Sequence, residues 1–145
     1  MEITLRIIDK TNWEECINLK VSEDQSNYVA SNAYSLVQAN YEENLYPMGI
    51  YNGDTMVGFT MYDFDTDENM WGMCRLMIDQ KHQKNGIGKI AILKLMELVR
   101  EKYGHVEFYT SVEPENHIAL KLYEGLGFIN TNRLVYEELL LTMKL

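Results

Sequence analysis

Two periods of apolar and polar residues organise this chain. The longest helical period runs from about Gly86 to Lys102, where Ile87, Ile90, Ala91, Leu93, Leu95, Leu98 and Val99 form one broad apolar stripe and Gly104 closes the helix. A shorter one runs from Asn116, placed to cap it, through Glu124 to Gly125 and Gly127. Nearer the start, Thr11 reads as an N-cap with Glu14 completing a capping box. That helix should reach about Lys20, with Trp13, Cys16, Ile17 and Leu19 inward. A second should span Val29 to Glu43, with Ala33, Leu36, Val37 and Asn40 at helical spacing. Extended segments are predicted at 3–8, 48–51, 55–62, 70–78, 106–111, 128–131 and 134–143. Asn52-Gly53 between two apolar runs signals a hairpin, and the acidic stretch 63–68 a second turn. The order β-α-α-β-β-β-α-β-α-β-β predicts a single-domain α/β (α+β) fold, with a mixed, mostly antiparallel central sheet flanked by about four helices.

The segment from Leu76 to Val99 carries the first chemistry. An apolar strand feeds a glycine-containing turn that opens directly into a helix. Gly86 and Gly88 let a ligand approach the backbone, and the helix start presents unpaired N–H groups and a positive dipole end. With Lys81, Lys84 and Lys89 around it, this suits a phosphate, although a plain turn with a solvated lysine face would read the same. It is not a Walker loop. It is not the dinucleotide fingerprint either, because Ala91 stands where the third glycine belongs.

Charge narrows the partners. Residues 1–73 carry 13 acidic and 3 basic side chains, and residues 74–145 carry 9 and 10, within a net charge of −9. An acidic half of this kind repels nucleic acid and attracts a cationic small molecule, and it also serves solubility. No apolar run approaches a membrane span, and the N-terminal residues lack a signal-peptide layout. Cys16 and Cys74 make no metal or disulfide pattern, so reduced thiols in a cytoplasmic protein are expected. The acidic turn 63–68 lacks the glycine and the twelfth-position Glu of a calcium loop, and no metal is expected.

Gln83, Gly86 and Gly88 form Gln-x-x-Gly-x-Gly. Asn116, Ala119, Tyr123, Gly127 and Phe128 form Asn-x-x-Ala-x-x-x-Tyr-x-x-x-Gly-Phe, one helix and one strand later. Together these resemble the two cofactor motifs of the GNAT family of N-acetyltransferases. The resemblance implies acetyl-CoA as cosubstrate and two parallel strands splayed into a slot for it. It implies that residues Gln83, Lys84, Asn85, Gly86, Ile87, Gly88 and Lys89 hold the pyrophosphate. Backbone groups of Leu76, Met77 and Ile78 would meet the pantetheine arm, with Asn116 beside it. Tyr123 would stand near the thioester sulfur as general acid; Asn116 and Tyr123 are two helical turns apart and share a face. Several family members carry a Glu on the strand before the loop. Here that strand reads Met73-Cys74-Arg75, so the base must come from elsewhere: Glu113 is the candidate, with Glu23 and Asp24 as others if the first loop folds over the site.

The acceptor implied is a primary amine. Stretches 21–29, 57–62 and 75–79 are similar to bacterial spermine/spermidine acetyltransferases of this family. Glu23, Asp24 and Tyr28, within a run of acids and tyrosines that includes Tyr34, Tyr41 and Tyr46, would bind an alkyl ammonium by charge and cation–π contact. The alternatives are another acceptor (an amino acid, an aminoglycoside or a protein N-terminus) or a non-catalytic CoA-binding sensor. A homodimer is compatible with the fold.

Overall fold

The computed structural model describes residues 1–22 and 30–145; Glu23, Asp24 and Tyr28 lie outside the described residues. The order of elements is β1 (Ile3–Ile7), α1 (Trp13–Ile17), α2 (Asn32–Tyr41), β2 (Leu45–Asn52), β3 (Thr55–Asp65), β4 (Met70–Ile78), α3 (Ile87–Tyr103), β5 (Glu107–Val112), α4 (His117–Gly125), β6 (Ile129–Val135) and β7 (Glu138–Lys144). The strands lie in one sheet ordered β1-β2-β3-β4-β5-β7-β6. The β4–β5 pair is parallel and the other neighbours are antiparallel, which is the mixed, mostly antiparallel sheet expected, with the parallel pair that the family resemblance implied.

The helices cover both faces of the sheet. On one face α3 sets Ile92, Leu95, Met96 and Val99 against Met73, Phe108 and Leu141, with Tyr123 and Phe128 in the same cluster. Further along α3, Ile87 and Ala91 meet Ile3, Ile50 and Val57. On the other face Cys16 of α1 packs with Tyr51, Met56, Phe59, Met61 and Met77, flanked by Leu36 and Ala39 of α2. Each face is thus a sheet-on-helix layer closed by apolar burial.

Three local expectations fail for physical reasons. Thr11 is not the cap of α1: its amide and hydroxyl donate to Asp9 Oδ1, and the N-cap position falls on Asn12. The Asp9 side chain captures this turn before a capping box can form. In α2 the fully buried positions are Asn32 and Ser35; Leu36 packs inward as expected, whereas Ala33 and Val37 face out, Val37 being 60% exposed. The cause is Arg75, whose guanidinium donates to Ser35 Oγ (3.1 Å), Gln38 Oε1 (2.8 Å) and the Cys74 carbonyl (3.0 Å). A half-buried cation needs such partners more than a helix needs one more apolar contact. Finally, the last hairpin turns at Tyr136-Glu137 and not near 132–133. Both residues have positive φ (51° and 68°), while Asn132 (φ 58°) lies in an irregular stretch of β6. A tight turn built from Tyr and Glu carries no Asn-Gly signature.

Candidate active site

The β4–β5 ladder is short. Trp71 pairs with Phe108, Gly72 with Tyr109 and Met73 with Thr110, and there the pairing stops. Thr110 Oγ1 donates to the Met73 carbonyl at 3.0 Å and pins the last rung. Just beyond it β4 bulges: Met61 opposes Arg75 and Tyr62 opposes Met73, leaving Cys74 without a partner. From Cys74 to Ile78 the β5-facing side of β4 has no ladder. The separated strands form a cleft of about 1120 Å³ that passes through the sheet. Its lining includes Ile87, Ala119, Leu122 and Tyr123 from the α3/α4 face, and Val21, Ala30 and Arg75 from the α1/α2 side.

The glycine loop closes one end. Gln83 Nε2 donates to the Ile78 carbonyl at 2.9 Å, tying the loop back to β4. Asp79, almost wholly buried, accepts from the Lys20 amide (2.9 Å) and the Lys81 amide (3.3 Å) and so fixes the other side. Gly86 stands at the N-cap of α3 with φ 75°, a left-handed conformation that favours glycine, and provides no capping side chain. The first α-helical bond is Ile90 N–H to Gly86 O, so the earlier amides have no partner within the helix. A Cβ on Gly88 would touch only Ile78, at 3.7 Å.

All but one of the predicted cofactor residues come together here. Leu76, Met77, Ile78, Gln83, Lys84, Gly86, Ile87, Gly88, Lys89 and Asn116 line the cleft, as do Tyr123 and Glu113; Asn85 does not. Of the three lysines, Lys84 and Lys89 face it and Lys81 does not. Asn116 caps α4 by accepting from the Ala119 amide at 3.3 Å. What it offers a ligand is therefore its amide N–H. Tyr34, Tyr41 and Tyr46 lie off the cleft: the first two are exposed, and Tyr46 stacks on Tyr62 at 4.8 Å.

Tyr123 is 8% exposed and meets Phe128 edge-on at 5.8 Å. Burial, aided by the Glu138 charge and opposed by the Thr110 hydroxyl, pushes its phenol up to about 12. Burial also pushes the Cys74 thiol up to about 12. Glu113 shares a hydrogen bond with Glu115, which raises its carboxyl above the usual range. Sequence reasoning missed Ser111 and Glu138, whose Oγ and Oε1 are 2.7 Å apart and which both line the cleft. The available signal was alternation. Phe108, Thr110 and Val112 are buried, so Ser111 must face the other way.

A helix start that gathers backbone amides and lysines, opening on a slot through a sheet with a buried phenol inside, is the architecture of an acyl-CoA-dependent transferase. The model of the Acetyltransferase (GNAT) family matches residues 11–128. A spermine/spermidine N(1)-acetyltransferase of Bacillus subtilis (strain 168) is 30% identical over 135 residues, covering 88% of each chain. Among solved structures, an aminoglycoside acetyltransferase bound to coenzyme A superposes with a TM-score of 0.81 at 16% identity, covering 99% of this chain and 95% of that one. Spermidine N-acetyltransferase from Vibrio cholerae, bound to CoA and spermine, superposes with a TM-score of 0.75 at 17% identity, covering 99% and 94%. The chain belongs to the GNAT family of acetyltransferases, and acetyl-CoA is its cosubstrate.

Proposed function

We propose that this enzyme moves the acetyl group of acetyl-CoA to a primary amine of a polyamine such as spermidine or spermine, in the cytoplasm. The observation that carries the acceptor is the Bacillus subtilis spermine/spermidine relative, similar over 88% of both chains. The carboxylates Glu113, Glu115 and Glu138 along the cleft suit a cation.

In this reading the amides at the start of α3, with Gln83, Lys84 and Lys89 around them, hold the pyrophosphate. Backbone groups of Leu76, Met77 and Ile78 hold the pantetheine where β5 has parted from β4, and Asn116 adds its amide. Tyr123 presents its O–H to the sulfur as the thiolate leaves. Such a donor is worth roughly 10²–10⁴-fold. An alkyl ammonium with a pKa near 10 costs about 4 kcal/mol to deprotonate at pH 7. Glu113, raised by its bond with Glu115, takes that proton more readily than an ordinary exposed carboxylate. Glu23, Asp24 and Tyr28 complete the acceptor site. Direct attack is favoured over an acetyl-cysteine intermediate because the Cys74 thiol stays protonated and is a poor nucleophile.

Tyr123→Phe tests the reading. It should lower kcat by roughly 10²–10⁴-fold and leave CoA affinity unchanged, since only the O–H is removed. Unchanged kcat would remove Tyr123 from the chemistry.

A further inference from the structure

The glycine loop and α3 lie on one face of the sheet, and the cleft passes through to the other. A cofactor entering from the loop fills the near side. An amine attacking its thioester directly must therefore arrive from the α1/α2 side. The groups waiting there decide which amines are taken.

Ser111 and Glu138 stand on that side. Phe108, Thr110 and Val112 point into the α3/α4 core, which turns Ser111 away from it. Leu139 and Leu141 pack into the same core, which turns Glu138 and Leu140 the other way, and Leu140 is paired with Ser111. The hydroxyl of Ser111 donates to Glu138 Oε1 at 2.7 Å, fixing the carboxylate and leaving Oε2 for an incoming N–H. The turn before it, Tyr136-Glu137, holds two non-glycine residues at positive φ, so the start of β7 is set by a costly backbone.

The neighbouring charges do not satisfy Glu138. Arg75 lines the cleft, but its guanidinium is committed to Ser35, Gln38 and the Cys74 carbonyl. Glu113 and Glu115 share a hydrogen bond with each other. Among the described residues no cation lies within ion-pair distance of Glu138. Its charge is nonetheless felt at Tyr123, inside the same cleft.

We propose that Glu138, oriented by Ser111, is the carboxylate that receives the acceptor's ammonium group on the α1/α2 side of the gap. This rests on the amine acetyltransferase reading. It makes Glu138 a determinant of specificity for cationic alkyl amines, distinct from the proton-taking role given to Glu113.

Glu138→Gln keeps an acceptor for Ser111 and removes the charge. A charge-assisted hydrogen bond of ordinary strength predicts that KM for spermidine rises about tenfold or more. kcat should change less than KM, and CoA affinity by calorimetry should not change. Glu138→Asp should recover part of the loss, and the difference from wild type should shrink as salt is raised. Ser111→Ala, which frees the carboxylate without removing it, should raise KM about threefold. Altered CoA affinity or melting temperature in step with KM would indicate a structural role and overturn the proposal. So would folded Glu138→Gln and Ser111→Ala variants with wild-type KM. If the wild type acetylates spermidine while both variants are indistinguishable from it, this inference alone falls. If the wild type acetylates no amine, the acetyltransferase reading falls and takes this inference with it.

Discussion

The phenol of Tyr123 and the carboxyl of Asp63 are two buried acids with opposite consequences for pH. Tyr123 keeps its proton because burial pushes it up to about 12, so its O–H is available across the whole working range. The acceptor must lose a proton, so kcat/KM should rise with pH and show no falling limb from this residue below about pH 10. A falling limb that disappears in Tyr123→Phe would contradict this. Asp63 accepts from the Tyr109 hydroxyl, 2.8 and 2.6 Å from its two oxygens, yet burial still pushes it up to about 6 from 3.8. The folded state thus binds this proton more tightly than the unfolded chain does. Its stabilising contribution is fully present below about pH 3.8 and is lost as pH rises through about 6. Asp63→Asn should therefore gain stability over wild type at pH 7.5, by about 2 kcal/mol, and lose most of that advantage at pH 4. Denaturant melts at the two values check this, and an equal difference at both would refute it. At this scale the placement of the motif residues was legible: Gly86, Asn116 and Tyr123 all line the one cleft. Asp63, Ser111 and Glu138 were not, because each acts through a partner distant in sequence.

Strand β4 is the element on which the site depends, and Gly58 shows how closely β3 approaches it. A Cβ at Gly58 would lie 2.6 Å from the Met77 carbonyl oxygen, a backbone atom that cannot swing aside. Gly58→Ala should lower stability by about 1–3 kcal/mol through overpacking. It should also weaken CoA binding, because Met77 lines the cleft in the stretch proposed to hold the pantetheine. Gly125→Ala, where an added Cβ meets nothing within 4 Å, should do neither. Thermal melts and CoA titrations of the two variants separate the cases. The strongly periodic elements, α3 and the β2–β3 hairpin, were readable from pattern because burial and turn chemistry agree there. Helix α2 was readable as a helix, but its inner face was read only in part: Leu36 packs inward, while Asn32 and Ser35 are the buried positions, and Ser35 and Gln38 answer to Arg75 from a strand about forty residues away. The β6–β7 turn was missed for a similar reason, since Tyr136 and Glu137 adopt a conformation their types disfavour.

For the whole molecule, both signs of charge meet at one cleft, and they come from the near-neutral half 74–145 and not from the acidic half, which puts no carboxylate of the described residues in the lining. Lys84 and Lys89 stand on the cofactor side and Glu113, Glu115 and Glu138 line the same opening. On the proposed polyamine reading, a polyanionic cofactor and a polycationic acceptor are thereby attracted to one gap by opposite fields. KM for spermidine should therefore rise with ionic strength between about 0.05 and 0.5 M, far more than KM for an amine of single charge. Topology decides where the two substrates meet, and the parting of β4 from β5 after Met73 was implied by family resemblance rather than by any periodicity. The most direct test of the account is thiol release from acetyl-CoA across a panel of spermidine, spermine, diamines, amino acids and an aminoglycoside, with the acetylated product identified by mass. The account predicts selective turnover of the polyamines. Preference for an amino acid or an aminoglycoside, or tight CoA binding with no turnover of any amine, would contradict it.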